Sequence, residues 1–264
     1  MKIKTILGAL MLLVSGQVNA SVIHAIATGE IYDFVDANDI LGYGGSGAAV
    51  GNRVTYHFTF NTDSAPPDFY GGARAPREAD YFTHGNSTTA PSWMASSIEF
   101  DNGAFYNSDT YVGTTTTTDQ VKIIERDGGS PFDYIRYHDE MVDSARAFKM
   151  GVSVYEYTEN LVDGLAIDQL PVWELIPNTF LEQSRGDFGF EDFAAGWAFS
   201  GQVMIDSLTV CSKFPGGGAT GVCFPGPGVF PGGGVSAVPV PAAIWLFGTA
   251  LMGLVGFSKR RKAA

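Results

Sequence analysis

In Val54-Thr55-Tyr56-His57-Phe58-Thr59-Phe60 the large apolar side chains fall on alternate positions, and no other feature restricts the fold of this chain so tightly. Successive side chains of an extended backbone point to opposite sides, so Val54, Tyr56, Phe58 and Phe60 share one face of a β-strand and Thr55, His57 and Thr59 the other. Trp197, Phe199, Gly201, Val203 and Ile205 repeat the pattern. Leu208 and Val210 continue it on the opposite parity, which predicts a bulge or turn at Asp206-Ser207.

Further strands are expected at Val22 to Phe34, Ser97 to Tyr106, Gln120 to Glu125, Tyr134 to His138 and Phe148 to Tyr157, with turns rich in Gly, Asp, Asn and Pro between them. No amphipathic helix of convincing length is present; Pro76 to Phe82 is read as one short helical turn. The expected fold is therefore mostly β, an antiparallel β-sandwich of jelly-roll type over residues 21–212, long enough for one sizeable core.

The two ends of the chain follow different rules. Lys2 and Lys4 precede the apolar stretch Ile6 to Val14, and Val18-Asn19-Ala20 offers the small residues a signal peptidase reads. Residues 1–20 are thus expected to be a cleavable secretory signal, cut between Ala20 and Ser21. From Ala242 to Phe257 no residue is charged. A helix rising about 1.5 Å per residue makes that run roughly 24 Å long, a marginal membrane span. Lys259, Arg260, Arg261 and Lys262 favour the cytoplasmic side, so the bulk of the chain is expected outside the inner membrane, with Trp245 as an interfacial anchor. Pro215 to Pro241 contains 9 Gly and 6 Pro in 27 residues and no charge. That composition makes residues 213–237 a linker, flexible at its glycines and stiffened by its prolines.

Val238, Pro239, Val240, Pro241, Ala242 and Ala243 lead into Trp245, Leu246, Phe247 and Gly248, then the apolar run, then the four cations. This order resembles the PEP-CTERM sorting signal of Gram-negative bacteria, in its Val-Pro-x-Pro-Ala-Ala-x-Trp-Leu-Phe-Gly form, and covers residues 238–264, about a tenth of the chain. The resemblance implies processing near Pro239 and Pro241 by an exosortase, a membrane-embedded cysteine transpeptidase. It also implies a protein held in the inner membrane before processing, then sent to the cell surface or beyond and associated with exopolysaccharide and biofilm. Val240 stands where the family's namesake motif has Glu. Each proline lacks a backbone N–H and fixes φ, so the pair also stops a helix and holds the chain extended. Gly29 to Phe34, Phe58 to Asp63 and Val203 to Val210 are similar to segments of exported proteins that often bear this signal; that likeness supports the sandwich and implies no activity.

Two of the 16 Lys and Arg residues precede residue 21 and four lie at 259–262, leaving 10 against all 28 Asp and Glu, a net charge of −18 for the exported part. Such a domain repels nucleic acid and anionic lipid and stays soluble. Its two cysteines, Cys211 and Cys223, allow one pairing, and oxidation is permitted outside the cytoplasm. A bridge closing so short a loop contributes roughly 3 kcal/mol in the loop-entropy model.

Catalytic signatures are few. Gly42-Tyr43-Gly44-Gly45-Ser46-Gly47 lacks the Lys of a phosphate loop and reads as a surface loop. His24, His57, His84 and His138 are isolated in sequence, without the spacing of a metal site. Arg136, His138, Asp139, Glu140 and Asp143 hold acid and base together, although a charged strand end explains them equally. Asp33, Asp36, Asn38 and Asp39, or Asp187, Glu191 and Asp192, are oxygen donors of the kind calcium takes; otherwise no cofactor is expected. Thr114 to Thr118 and Asn86-Ser87-Thr88 offer glycosylation acceptors in form. The expected function is that of an exported, non-enzymatic surface or matrix protein. The alternatives are a lectin-like carbohydrate-binding module using Trp93, Tyr106, Tyr111 and Trp173 as stacking platforms, and a polysaccharide hydrolase with two facing carboxylates.

Overall fold

A computed structural model describes residues 22–70, 77–86, 92–108, 116–126, 130–157, 159–169, 171–175 and 184–213. Its strands are β1 (Val22–Asp36), β2 (Arg53–Asn61), β3 (Arg77–Asn86), β4 (Met94–Phe100), β5 (Phe105–Asn107), β6 (Thr116–Glu125), β7 (Asp133–Val142), β8 (Arg146–Glu156), β9 (Val172–Glu174), β10 (Arg185–Asp192) and β11 (Trp197–Lys213). No α-helix occurs among the described residues.

Every strand pair is antiparallel, and the hydrogen-bonded path runs β3-β6-β7-β8-β10-β11-β1-β2-β4-β5, with β9 joined to β11. The mostly antiparallel β expectation holds. In place of two separate sheets packed face to face, however, the strands make one continuous sheet that curls so that its two halves face each other. Aromatic rings bring the halves together. Phe58 and Phe60 of β2 lie 5.6 and 6.1 Å from Tyr137 of β7, and Phe100 of β4 lies 5.3 Å from Phe188 of β10. Tyr106 of β5 lies 4.8 Å from Phe190 and 4.9 Å from Phe199. Rings at these separations gain from edge-on and offset packing in addition to their burial.

The alternation read in β2 is the alternation of the fold: Val54, Tyr56, Phe58 and Phe60 are all buried, and His57 lies on the outer face. In β11 the slip of parity is a bulge, because Thr28 pairs with Ser207 and Gly29 with Ile205, leaving Asp206 as the extra residue. Asp206 accepts hydrogen bonds from Thr28 Oγ1 at 2.9 Å and from both terminal nitrogens of Arg53 at 2.6 and 2.9 Å. Burial pushes its carboxyl up, but the bonds from Arg53 and Thr28 outweigh burial and hold it below the usual carboxylate range.

Three readings are corrected. Pro76 to Phe82 is no helical turn: residues 77–82 open β3, with Ala79 buried toward the interior and Glu78 on the outer face paired with Lys122 at 2.5 Å. Residues 97–106 are split between β4 and β5 by a turn. β10 was not anticipated; its inward residues are Gly186, Phe188 and Phe190. Gly42 to Gly47 is the expected loop, with Gly42, Gly44, Gly45 and Gly47 at positive φ. The signal peptide, the linker with Cys223, the apolar run 242–257 and the basic tail lie outside the described residues.

Candidate functional site

The charged cluster read in the sequence is divided by the pleat of β7. Arg136, His138 and Glu140 point outward, whereas Asp139 points into the core and is fully buried. Asp143 accepts the backbone N–H groups of Ala145 and Arg146 at 2.6 and 2.7 Å, and so shapes the turn before β8. These five side chains do not converge.

Register brings different partners to His138. Gly151 of β8 is its cross-strand neighbour, and Gly151 in turn faces Asp187 of β10. A Cβ on Gly151 would stand 2.7 Å from Asp187 Oδ1 and 3.2 Å from His138 Nδ1, so the missing side chain lets imidazole and carboxylate approach over bare backbone. Lys149 Nζ lies 2.9 Å from Asp187 Oδ2, and His138 Nε2 lies 3.6 Å from Glu140 Oε2. Burial, with Arg136 beside it, holds the imidazole below its ordinary value against the pull of Asp187 and Glu140, which leaves it neutral at pH 7. Nδ1 is itself buried without a hydrogen-bond partner, so solvent-borne ligands do not reach it. Next to this group the outward side chains of Ala147, Ala198 and Ser200 are small, and with Gly189 they leave an open trough of about 320 Å³ flanked by Glu140, Lys149 and Glu191.

Of the acids considered for calcium, Asp36, Asp39 and Asp192 are engaged by backbone N–H groups, and Asp187 by Lys149. Asp36, fully buried, accepts Ile40 N–H and Leu41 N–H, each at 2.9 Å. Asp39 accepts Gly44 N–H at 2.6 Å and Gly45 N–H at 3.1 Å, and Asp192 accepts Ala195 N–H at 2.7 Å. Among the described residues no group of three or more His, Cys, Asp or Glu side chains is placed to hold a metal ion. Of the aromatic platforms, Trp93 and Trp173 are buried, and Tyr106 packs into the ring cluster of the core; Tyr111 lies outside the described residues. Cys211 is buried near the end of β11, with Sγ 3.6 Å from the His24 carbonyl oxygen.

A family model for the PEP-CTERM protein-sorting motif matches residues 237–262. This chain carries that sorting signal. The PEP-CTERM match takes in all ten of the residues read as motif and anchor, from Val238 to Ala243 and from Trp245 to Gly248, together with the tail from Lys259 to Lys262. No curated protein and no solved structure matches the chain. It is the PEP-CTERM match that ties the protein to a known process.

The sequence left one constellation unread. Asp119 and Asp139 face each other across β6 and β7 inside the core. The available signal was an acid at the inward parity of Ile135, Tyr137 and Met141, but the partner strand cannot be read from that alone.

Proposed function

We propose that this protein is an exported, non-enzymatic surface or extracellular-matrix protein whose C-terminal signal is processed by an exosortase. The observation that carries this reading is the match of residues 237–262 to the PEP-CTERM motif. On this reading signal peptidase removes residues 1–20, the run 242–257 holds the chain in the inner membrane with Lys259 to Lys262 on the cytoplasmic side, and Cys211 pairs with Cys223 once exported. The folded sheet is then delivered to the cell surface or medium, in association with extracellular polysaccharide. The trough beside Lys149 and Glu191 supports a carbohydrate-binding version of this role better than Trp93 and Trp173 do, since it is open and those rings are buried.

Intact mass and fractionation in the native host test the proposal. The expected wild-type species lacks residues 1–20 and everything beyond about Pro241, and is found outside the membrane. Replacing Pro239 and Pro241 by Ala is expected to leave a membrane-bound chain that keeps Lys259 to Ala264. A wild-type protein that retains this tail in the membrane overturns the sorting reading.

A further inference from the structure

β4 shares no backbone ladder with β6 or β7, although it lies across from them where the curled sheet meets itself. Side chains make the junction. Asp119 Oδ2 of β6 accepts Trp93 N–H at 2.7 Å, Met94 N–H at 3.3 Å and Ser92 Oγ–H at 2.9 Å. Asp139 Oδ2 of β7 accepts Ser96 Oγ–H at 2.5 Å, and Trp93 Nε1–H donates to Thr83 Oγ1 of β3 at 3.1 Å.

Asp119 and Asp139 are register partners, both have 0% exposure, and each keeps one buried oxygen, Oδ1, that meets no protein N–H or O–H donor. As directly opposed residues on one face of an antiparallel pair their Cβ atoms stand about 4.5–5.5 Å apart, which sets the two carboxyl groups side by side. Two carboxylate oxygens are both acceptors, so a bond between the groups exists only when one of them carries a proton. We propose that Asp119 and Asp139 share one proton and form a pH-sensitive latch that holds the start of β4 across the mouth of the curled sheet.

Among the described residues no cation stands directly opposite or diagonal to the pair. The inward positions around the pair are Thr117 and Val121 of β6, Tyr137 and Met141 of β7, Thr83 of β3, Met150 of β8, and Met94 and Ser96 of β4, with Ser92, Trp93 and Ser108 from the flanking loops. Tyr137 is the titratable group among them, and burial keeps its hydroxyl protonated. The other charged side chains at inward parity of these strands are Arg77, Glu125, Asp133 and Glu156 at the opposite end, where Arg77 pairs with Glu125 at 3.1 Å, and Arg146 at the near end of β8, four residues along the strand from Met150. Burial raises Asp139 well above the carboxylate range and the Asp119 charge adds to it; burial also raises Asp119, against the hydrogen bonds from Trp93, Ser92 and Met94.

A raised folded-state value means that the latch contributes fully below the unfolded carboxylate range, near pH ~4, and is lost as pH rises through the pair's own titration. Asp139→Asn keeps an acceptor for Ser96 and supplies a permanent N–H donor for Asp119. Asp119→Asn instead removes the charge that gathers the three donors of Ser92, Trp93 and Met94.

Carboxyl carbon NMR on the full chain in detergent, with denaturation of wild type and both variants between pH 5 and pH 9, tests the latch. The expected result is one retained proton in the wild-type pair at pH 7, and a wild-type to Asp139→Asn ratio of folding constants that falls about tenfold per pH unit until that proton leaves. The Trp93 indole N–H signal is expected to change with the same titration, and Asp119→Asn to be less stable than Asp139→Asn throughout. Both carboxyls ionised at pH 7 in the folded wild type overturn the proposal, whatever the variants do. Parallel pH profiles for wild type and Asp139→Asn overturn it as well.

Discussion

Gly186 decides how closely the halves of the sheet approach. It occupies an inward position of β10 opposite Tyr56 of β2, and a Cβ there would stand 2.8 Å from Tyr56 Oη and 2.9 Å from its Cζ. Tyr56 is fully buried and its ring stacks on Phe58 at 6.5 Å, so it has nowhere to retreat. Its hydroxyl finds no partner in the core, and burial raises its pKa well above that of an exposed tyrosine. The substitution Gly186→Ala is therefore expected to destabilise the fold by about 1–3 kcal/mol through overpacking, read as a lower denaturation midpoint. An unchanged midpoint would mean that β2 and β10 slide apart without cost. The same logic explains Gly151 on the other face, where the missing Cβ makes room for His138 and Asp187.

The bulge in β11 is the element on which two parities depend. Upstream of Asp206 the inward residues are Phe199, Gly201, Val203 and Ile205; downstream they are Leu208 and Val210. Deleting Asp206 leaves Ile205 and Leu208 two positions apart, so the strand becomes regular, with Ile205, Leu208 and Val210 all still facing inward and Ser207 outward. The expected outcome is a cooperative unfolding transition that survives the deletion, and Asp206→Ala, which keeps the residue count and loses the partly exposed contact with Arg53, is expected to cost about 1 kcal/mol or less. Loss of the transition on deletion alone would argue that the bend the bulge gives β11, and not only its contact with Arg53, is needed to curl the sheet. This bulge was legible in the sequence because a slip of parity is a local signal. β3 was not, since Glu78 and Asp80 interrupt its apolar pattern and find Lys122 and Gln120 only once β6 lies beside them. β10 was hidden by Gly186 and Gly189, which weaken the strand signal in sequence, although the first of them makes room for Tyr56 in the fold. The sorting motif was legible in full, being a contiguous string of residues. The facing of Asp119 and Asp139, like that of His138 and Asp187, depends on strand register, which spans parts of the chain that no local pattern connects.

Across the folded sheet, stability should decline from the middle of the hydrogen-bonded path to its ends. β1 and β11 are the longest strands, at 15 and 17 residues, and lie at the centre of the order, whereas β3 and β5 close it at the edges. Amide hydrogen exchange is therefore expected to be slowest in β1, β10 and β11 and fastest in β3 and β5; protection concentrated at the edges would contradict this arrangement. The same central ladder has a mechanical meaning. Its end rung joins Val22 to Lys213, so the described chain begins and ends side by side on neighbouring antiparallel strands. A load applied between those two ends peels the ladder one rung at a time, the weakest direction in which to pull such a pair. A load borne by Lys213 alone does not oppose Val22 at all. A domain of this topology is suited to hang from a single tether at Lys213, with drag passed into the broad sheet and not into its seam.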